Sequence, residues 1–72
     1  MKRKIKANEM VSIYLFKELV CIYNSVKYVE EIEEFFIVKH KIGYAELFAK
    51  RYYQYDIDRD VKLFGKENKN DR

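Results

Sequence analysis

The segment MVSIYLFKELVCIY, Met10–Tyr23, dominates the interpretation of this chain, because eleven of its fourteen residues are apolar. The three exceptions, Ser12, Lys17 and Glu18, point in three different directions on a helix of about 100° per residue. Such a helix has no polar face and needs cover on all sides. The sequence therefore predicts a buried helix here, in a chain of 72 residues that has little material to cover it.

This uncovered helix favours self-association, because small domains without other stabilising devices commonly form oligomers. The single cysteine, Cys21, excludes an intramolecular disulfide and fits a reducing, cytoplasmic setting. The apolar run is too short to span a bilayer, which requires about 20 residues, so no membrane span is expected. We expect a homodimer and an unidentified protein partner. The predicted interface consists of Tyr14, Leu15, Phe16, Leu19, Ile22 and Tyr23.

Hydrophobic spacing predicts further helices beyond this segment. One apolar stripe, opposite a block of glutamates, is formed by Tyr28, Val29, Ile32, Phe35 and Phe36. A second stripe is formed by Tyr44, Leu47, Phe48, Tyr52 and Tyr55. The predicted fold is all-α, a small three- to four-helix bundle completed by dimerisation. We expect a basic flexible N-terminus at 1–7, a single helical domain at 8–65 and a disordered polar tail at 66–72.

Two short segments also fit strands and leave an α+β fold open. The apolar run Phe35–Val38 is too short for periodicity to distinguish a strand from a buried helix end. From Tyr53 to Ile57, apolar and polar residues alternate with the period of a strand. Pairing of strands near 35–40 and 53–58 would give this alternative, although two short strands alone are marginally stable.

The titratable residues do not form a pattern that predicts catalysis. Asp56, Asp58 and Asp60 are spaced like the first ligands of a calcium-binding loop, but the loop needs a glycine at the next position, which is Val61. His40 is flanked by lysines, which favours a solvated side chain, and no nucleophile lies near it in sequence. The sequence therefore indicates a protein that is not an enzyme, with no cofactor, no metal and no small-molecule substrate.

Our first hypothesis is a small regulatory protein that binds a macromolecular partner as a homodimer. Nucleic acid binding is the alternative, because the chain has a net charge of +3 and interleaves basic residues with tyrosines between 39 and 62. Basic side chains neutralise phosphates, and tyrosine rings stack on unpaired bases. A last short helix is predicted after Asp56, with Ile57, Val61 and Phe64 at i, i+4, i+7 spacing. Together with the helix at about 44–55 it would fit a helix-turn-helix, although Asp56, Asp58 and Asp60 would repel phosphates. The predicted nucleic-acid-binding residues are Lys39, Lys41, Lys50, Arg51, Tyr53, Arg59 and Lys62.

Overall fold

The computed structural model describes residues 1–59, and every regular element in this part of the chain is a strand. Strands make up 68% of it, so the predicted all-α bundle is wrong. The strands are β1 (Lys2–Lys4), β2 (Glu9–Leu15), β3 (Glu18–Tyr23), β4 (Val26–Glu31), β5 (Phe35–His40), β6 (Ala45–Ala49) and β7 (Tyr53–Arg59). Within the same residues there is no helix long and apolar enough to cross a membrane.

The strands form two antiparallel sheets. Sheet A has the order β1-β4-β5-β6, and sheet B has the order β3-β2-β7. Tight connections join β2 to β3, β4 to β5 and β5 to β6, whereas the chain changes sheet at 5–8, 24–25 and 50–52. Strand β7 returns to pair with β2 along its whole length, from Arg59 opposite Glu9 to Tyr53 opposite Leu15.

The apolar segment Met10–Tyr23 is a β-hairpin rather than a helix. Its two-residue turn consists of Phe16 and Lys17, whose φ angles are 50° and 72°. Positive φ at both central positions is what a type I′ turn requires, and this turn matches the right-handed twist of paired strands. Around the turn, β-branched and aromatic residues fit the pleated surface of a sheet. Lys17 therefore lies in the turn, and Glu18 is the first residue of β3.

Strand β2 is buried on both faces, which explains why it has no polar side. Val11 and Ile13 belong to the core and have no exposed surface. Met10 and Ser12 alternate with them on the opposite face and are also buried. Both edges of β2 are paired, with β3 and with β7. A strand in this position has the continuous apolar pattern of a buried helix, and periodicity does not separate the two.

The core lies between the two sheets. Its buried cluster consists of Ile5, Val11, Ile13, Val26, Val29, Phe36 and Val38. The ring of Phe36 is the largest fully buried side chain and lies 5.1 Å from the ring of Phe48 and 4.8 Å from that of Tyr55. Since Tyr55 belongs to sheet B, these contacts hold the two sheets together.

The strand positions also differ from the predicted organisation of the chain. The segment 1–7, expected to be a flexible arm, contains β1 and the core residue Ile5. The region 8–65 is built from strands, not helices, as far as residue 59. The α+β alternative placed strands near 35–40 and 53–58, where β5 and β7 lie, but β7 pairs with β2 and not with β5. The predicted tail at 66–72 lies outside the described residues.

Candidate functional site

Strand β3 forms an exposed edge of sheet B. Within residues 1–59 it pairs only with β2, so the backbone amide and carbonyl groups along its other side have no strand partner there. Its aliphatic side chains Leu19, Val20 and Ile22 are 52%, 50% and 49% exposed. An apolar edge strand of this kind is a template for pairing with another strand.

A β-bulge determines which side chains this edge presents. The register between β2 and β3 shifts at Val20, which has no partner on β2. Ile22 lies opposite Ser12. Leu19 lies opposite Tyr14, and therefore on the same outer face of sheet B as Ile22. In a regular strand, residues three positions apart would point to opposite faces, so the bulge is what brings these two aliphatic side chains together.

The turn of the β2–β3 hairpin extends the apolar edge with an aromatic pair. Phe16 is 68% exposed, and its ring lies edge-on to that of Tyr52 at 5.7 Å. The Phe16 N–H also donates a hydrogen bond to the Tyr52 carbonyl at 3.1 Å. The guanidinium of Arg51 lies 5.7 Å from the centre of the Tyr52 ring. These contacts fix the turn against the β6–β7 connection, although a non-glycine residue with positive φ costs about 1–2 kcal/mol.

All six residues predicted to form an interface lie on the β2–β3 hairpin, and they fall into two groups. Phe16, Leu19 and Ile22 are exposed, whereas Tyr14, Leu15 and Tyr23 are half-buried. Sequence reasoning omitted Val20, although it is as exposed as its neighbours. Its exposure depends on the bulge, which no pattern in the sequence indicates.

The structure separates the basic residues predicted to bind nucleic acid. Lys39 lies opposite Ala45 at one end of the β5–β6 pair, and Lys50 follows the other end, more than about 13 Å away at 3.4 Å per residue. The Lys39 ammonium donates a hydrogen bond to the Gly43 carbonyl at 2.8 Å. The Lys50 ammonium lies 3.2 Å from the Glu31 carboxylate. Arg51 follows Lys50 directly, so these residues form two sites rather than one.

The other members of this predicted set are scattered. Tyr53, expected to be an exposed stacking residue, packs its ring 5.1 Å from that of Phe48 and is half-buried. Arg59 lies at the end of β7, opposite Glu9. Lys41 follows β5, close to Lys39. Lys62 lies outside the described residues, and in the described part of the chain no helix-turn-helix exists.

A buried polar cluster closes one end of the core. His40 is 5% exposed, contrary to the solvated position that its lysine neighbours suggested. Its Nε2 lies 3.0 Å from Oε1 of Glu46, and its ring lies between those of Tyr23 and Tyr44. A hydrogen bond with Cys21, burial, and a hydrogen bond with Glu46 raise the pKa of Tyr23 far above its ordinary value.

A second polar contact links the two sheets at the opposite end. The Tyr55 hydroxyl donates a hydrogen bond to the Glu31 carboxylate at 2.5 Å. This bond and the one from Lys50 hold the pKa of Glu31 below its ordinary value. Burial and the same hydrogen bond raise the pKa of Tyr55 to about 12. Among residues 1–59, no three His, Cys, Asp or Glu side chains come together in a way that could hold a metal ion.

In comparisons with known proteins, no family model matches the chain, and neither a curated protein nor a solved structure gives a significant match. The candidate site is therefore argued from the geometry and chemistry of the described residues. The feature that most clearly points to a partner is the exposed apolar edge of β3.

Proposed function

We propose that this protein is a non-enzymatic interaction module that acts as a homodimer, in which β3 pairs with β3 of a second copy. The observation that carries the proposal is the row of half-exposed side chains Leu19, Val20 and Ile22 on a strand that, within residues 1–59, is paired on one side only. Natural edge strands are usually protected by charge, by proline or by a covering element. Strand β3 has one charged residue, Glu18, at its end and no proline.

The sequence of β3 suits antiparallel pairing with itself. A two-fold interface uses the same surface of both copies. With the symmetry axis between Val20 and Cys21, each Leu19 faces the partner's Ile22, and both side chains lie on the outer face of the sheet. Glu18 then faces the partner's Tyr23, so no like charges are opposed. Apolar pairs across neighbouring strands are the contacts that stabilise a sheet.

Light scattering at micromolar concentration tests the proposal, with an expected mass of about twice the 8.9 kDa of one chain. Leu19→Glu and Ile22→Glu should each produce a monomer, because an unpaired charge is costly in an apolar interface. Leu47→Glu is the matched control, since Leu47 is 59% exposed on β6, one of the two edge strands of sheet A as described. This variant should remain dimeric.

Circular dichroism on the same samples separates loss of pairing from loss of the fold. A wild-type monomer would contradict the proposal, as would an equal effect of the Leu47 control. The protein could instead be a monomer that binds an extended peptide of another protein along β3 with one-to-one stoichiometry. That result would replace the proposed homodimer with strand addition to a different partner. The single free thiol, Cys21, supports a reducing, cytoplasmic setting for the module.

A further inference from the structure

The outer face of sheet A, away from the core and from β3, carries a basic row that the dimer does not use. Lys4 lies opposite Tyr28 on the neighbouring strand, and Tyr28 lies opposite Lys39 on the next. Neighbouring strands are about 4.8 Å apart, so the tyrosine ring has a lysine on each side, with about 10 Å between the two lysine positions. Two further exposed lysines, Lys27 and Lys41, border the row.

The charges on sheet A are unevenly placed along its strands. Glu31, Glu33 and Glu34 lie toward the opposite end of the sheet, whereas Glu30 lies two residues from Tyr28 on the same face, opposite Lys2. Near the basic row, the carboxylate of Glu46 contacts His40 in the buried polar cluster. Within residues 1–59, Lys4 pairs with Tyr28, and Lys39 pairs with Tyr28 and Ala45, so neither of these two lysines faces a carboxylate on a neighbouring strand.

Tyr28 adds a surface for stacking to this outer face. It is half-buried, and the ammonium of Lys2 lies 4.4 Å from the centre of its ring. Tyr44 lies on the other side of the sheet, where its ring stacks on that of His40 at 4.3 Å. Aromatic side chains on the open face of a four-stranded sheet are a known way of holding unpaired bases, while lysines neutralise the phosphates.

We infer that this end of sheet A binds single-stranded nucleic acid, with Tyr28 stacking on a base and Lys4 and Lys39 contacting the flanking phosphates. A lipid surface is the competing ligand, because Ile37 and the exposed Leu47 lie on the same outer face beside the lysines. The row Lys4–Tyr28–Lys39 offers an aromatic ring at the level of the sheet, which suits a base better than acyl chains. This surface differs from the predicted set, of which it keeps only Lys39 and Lys41.

Fluorescence anisotropy with a labelled thymidine oligonucleotide of about 16 nucleotides tests the inference. If the four lysines each neutralise one phosphate, the slope of log affinity against log salt is about −2.8. Affinity should then fall about 50-fold between about 50 and about 200 mM salt. Absence of binding at the lower salt concentration would overturn the inference.

Variants locate the binding surface. Tyr28→Ala should weaken binding roughly 10- to 100-fold, whereas Tyr28→Phe should retain it, because stacking needs the ring and not the hydroxyl. The pair Lys4→Gln and Lys39→Gln should reduce the salt slope by about 1.4. The control pair Lys17→Gln and Arg51→Gln removes the same charge at the other end of the molecule and should leave the slope unchanged.

Three results would overturn the inference. In the first, the control pair weakens binding as much as the Lys4 and Lys39 pair. In the second, Tyr28→Phe loses as much affinity as Tyr28→Ala. In the third, the protein sediments with phosphatidylserine vesicles but does not bind the oligonucleotide, which would assign the basic row to an anionic membrane surface.

Discussion

The hairpin turn at Phe16 and Lys17 predicts that one substitution stabilises the protein. Lys17 has a φ angle of 72°, and an L-residue in this left-handed conformation carries a penalty of about 1–2 kcal/mol. Glycine adopts the conformation without that penalty. Its greater freedom in the unfolded chain offsets about 0.4–1 kcal/mol of the gain. We therefore expect Lys17→Gly to raise the free energy of unfolding by about 1 kcal/mol.

Thermal unfolding followed by circular dichroism measures this change. In a domain of this size, 1 kcal/mol corresponds to a shift of about 4–8 °C in the midpoint. Lys17→Ala is the control, because it removes the same charge but keeps the Cβ atom that causes the strain. Phe16→Gly is not equivalent, because it would also remove the ring contact with Tyr52, which contributes about 0.5–1.5 kcal/mol.

The comparison between the two Lys17 variants decides the outcome. The unfolding midpoint of Lys17→Gly should be higher than that of Lys17→Ala and higher than that of the unaltered protein. If the glycine variant melts no higher than the alanine variant, the turn does not store the strain that its dihedral angles indicate. A gain shared by both variants would show that the charge, and not the backbone, is responsible.

Three further predictions concern the core and the polar contacts. Phe36→Ala should lower the free energy of unfolding by about 3–5 kcal/mol in urea titrations, and Phe36→Leu by clearly less, because Phe36 is fully buried between the sheets. The folded protein should lose stability as the pH rises from 10 to about 12, because folded Tyr55 keeps a proton that the unfolded chain releases. Tyr55→Phe should reduce this loss without abolishing it, because the pKa of Tyr23 is raised as well. A hydrogen bond from the Lys6 amide holds the pKa of Glu9 below 4.5, so stability should fall as the pH drops below that value. Glu9→Gln should reduce this loss of stability at acid pH. If urea titrations give the same fall in the free energy of unfolding with pH for Glu9→Gln and for the unaltered protein, the prediction is wrong.

Part of the fold could be predicted from the sequence, because burial depends mainly on apolarity. The segment Met10–Tyr23 is predicted to be buried, and this is correct for residues 10–13 on β2 but wrong for residues 16–20 and for Ile22, which are exposed. The type of element was wrong, because a central strand covered on both faces has the same pattern as an apolar helix. The usual sign of a type I′ turn, Asn-Gly or Asp-Gly, is missing, and Phe16-Lys17 stands in its place.

The predicted helical stripes were wrong for a related reason, because their spacing also reflects burial and not the type of element. Val29 and Phe36 are both buried, as a stripe requires, but they lie on neighbouring strands of sheet A. Val38, which did not fit the stripe, is fully buried, whereas Ile37 points to the other face with the alternation of a strand. The alternation from Tyr53 to Ile57 was a correct sign of β7.

The candidate site could be predicted only where it depends on composition. Phe16, Leu19 and Ile22 were chosen because they are apolar, and they are exposed on one hairpin. The bulge and the pairing with β2 determine the face that each side chain occupies. Neither can be predicted from the local sequence. The row formed by Lys4, Tyr28 and Lys39 joins three separate segments through strand register. For the same reason, no sequence window contains it.

The pairing of β2 with β7 has a consequence for how the chain folds. The partners in this pair are 38 to 50 residues apart, from Leu15 with Tyr53 to Glu9 with Arg59. The β2–β3, β4–β5 and β5–β6 pairs close short loops, so we expect them to form first. The β2–β7 pair should form later, because closing its long loop costs more chain entropy. During synthesis, the edge of β2 that pairs with β7 therefore stays open until β7 leaves the ribosome. That interval is when nascent copies are most prone to misassociation, and the rate at which β7 docks determines how long it lasts.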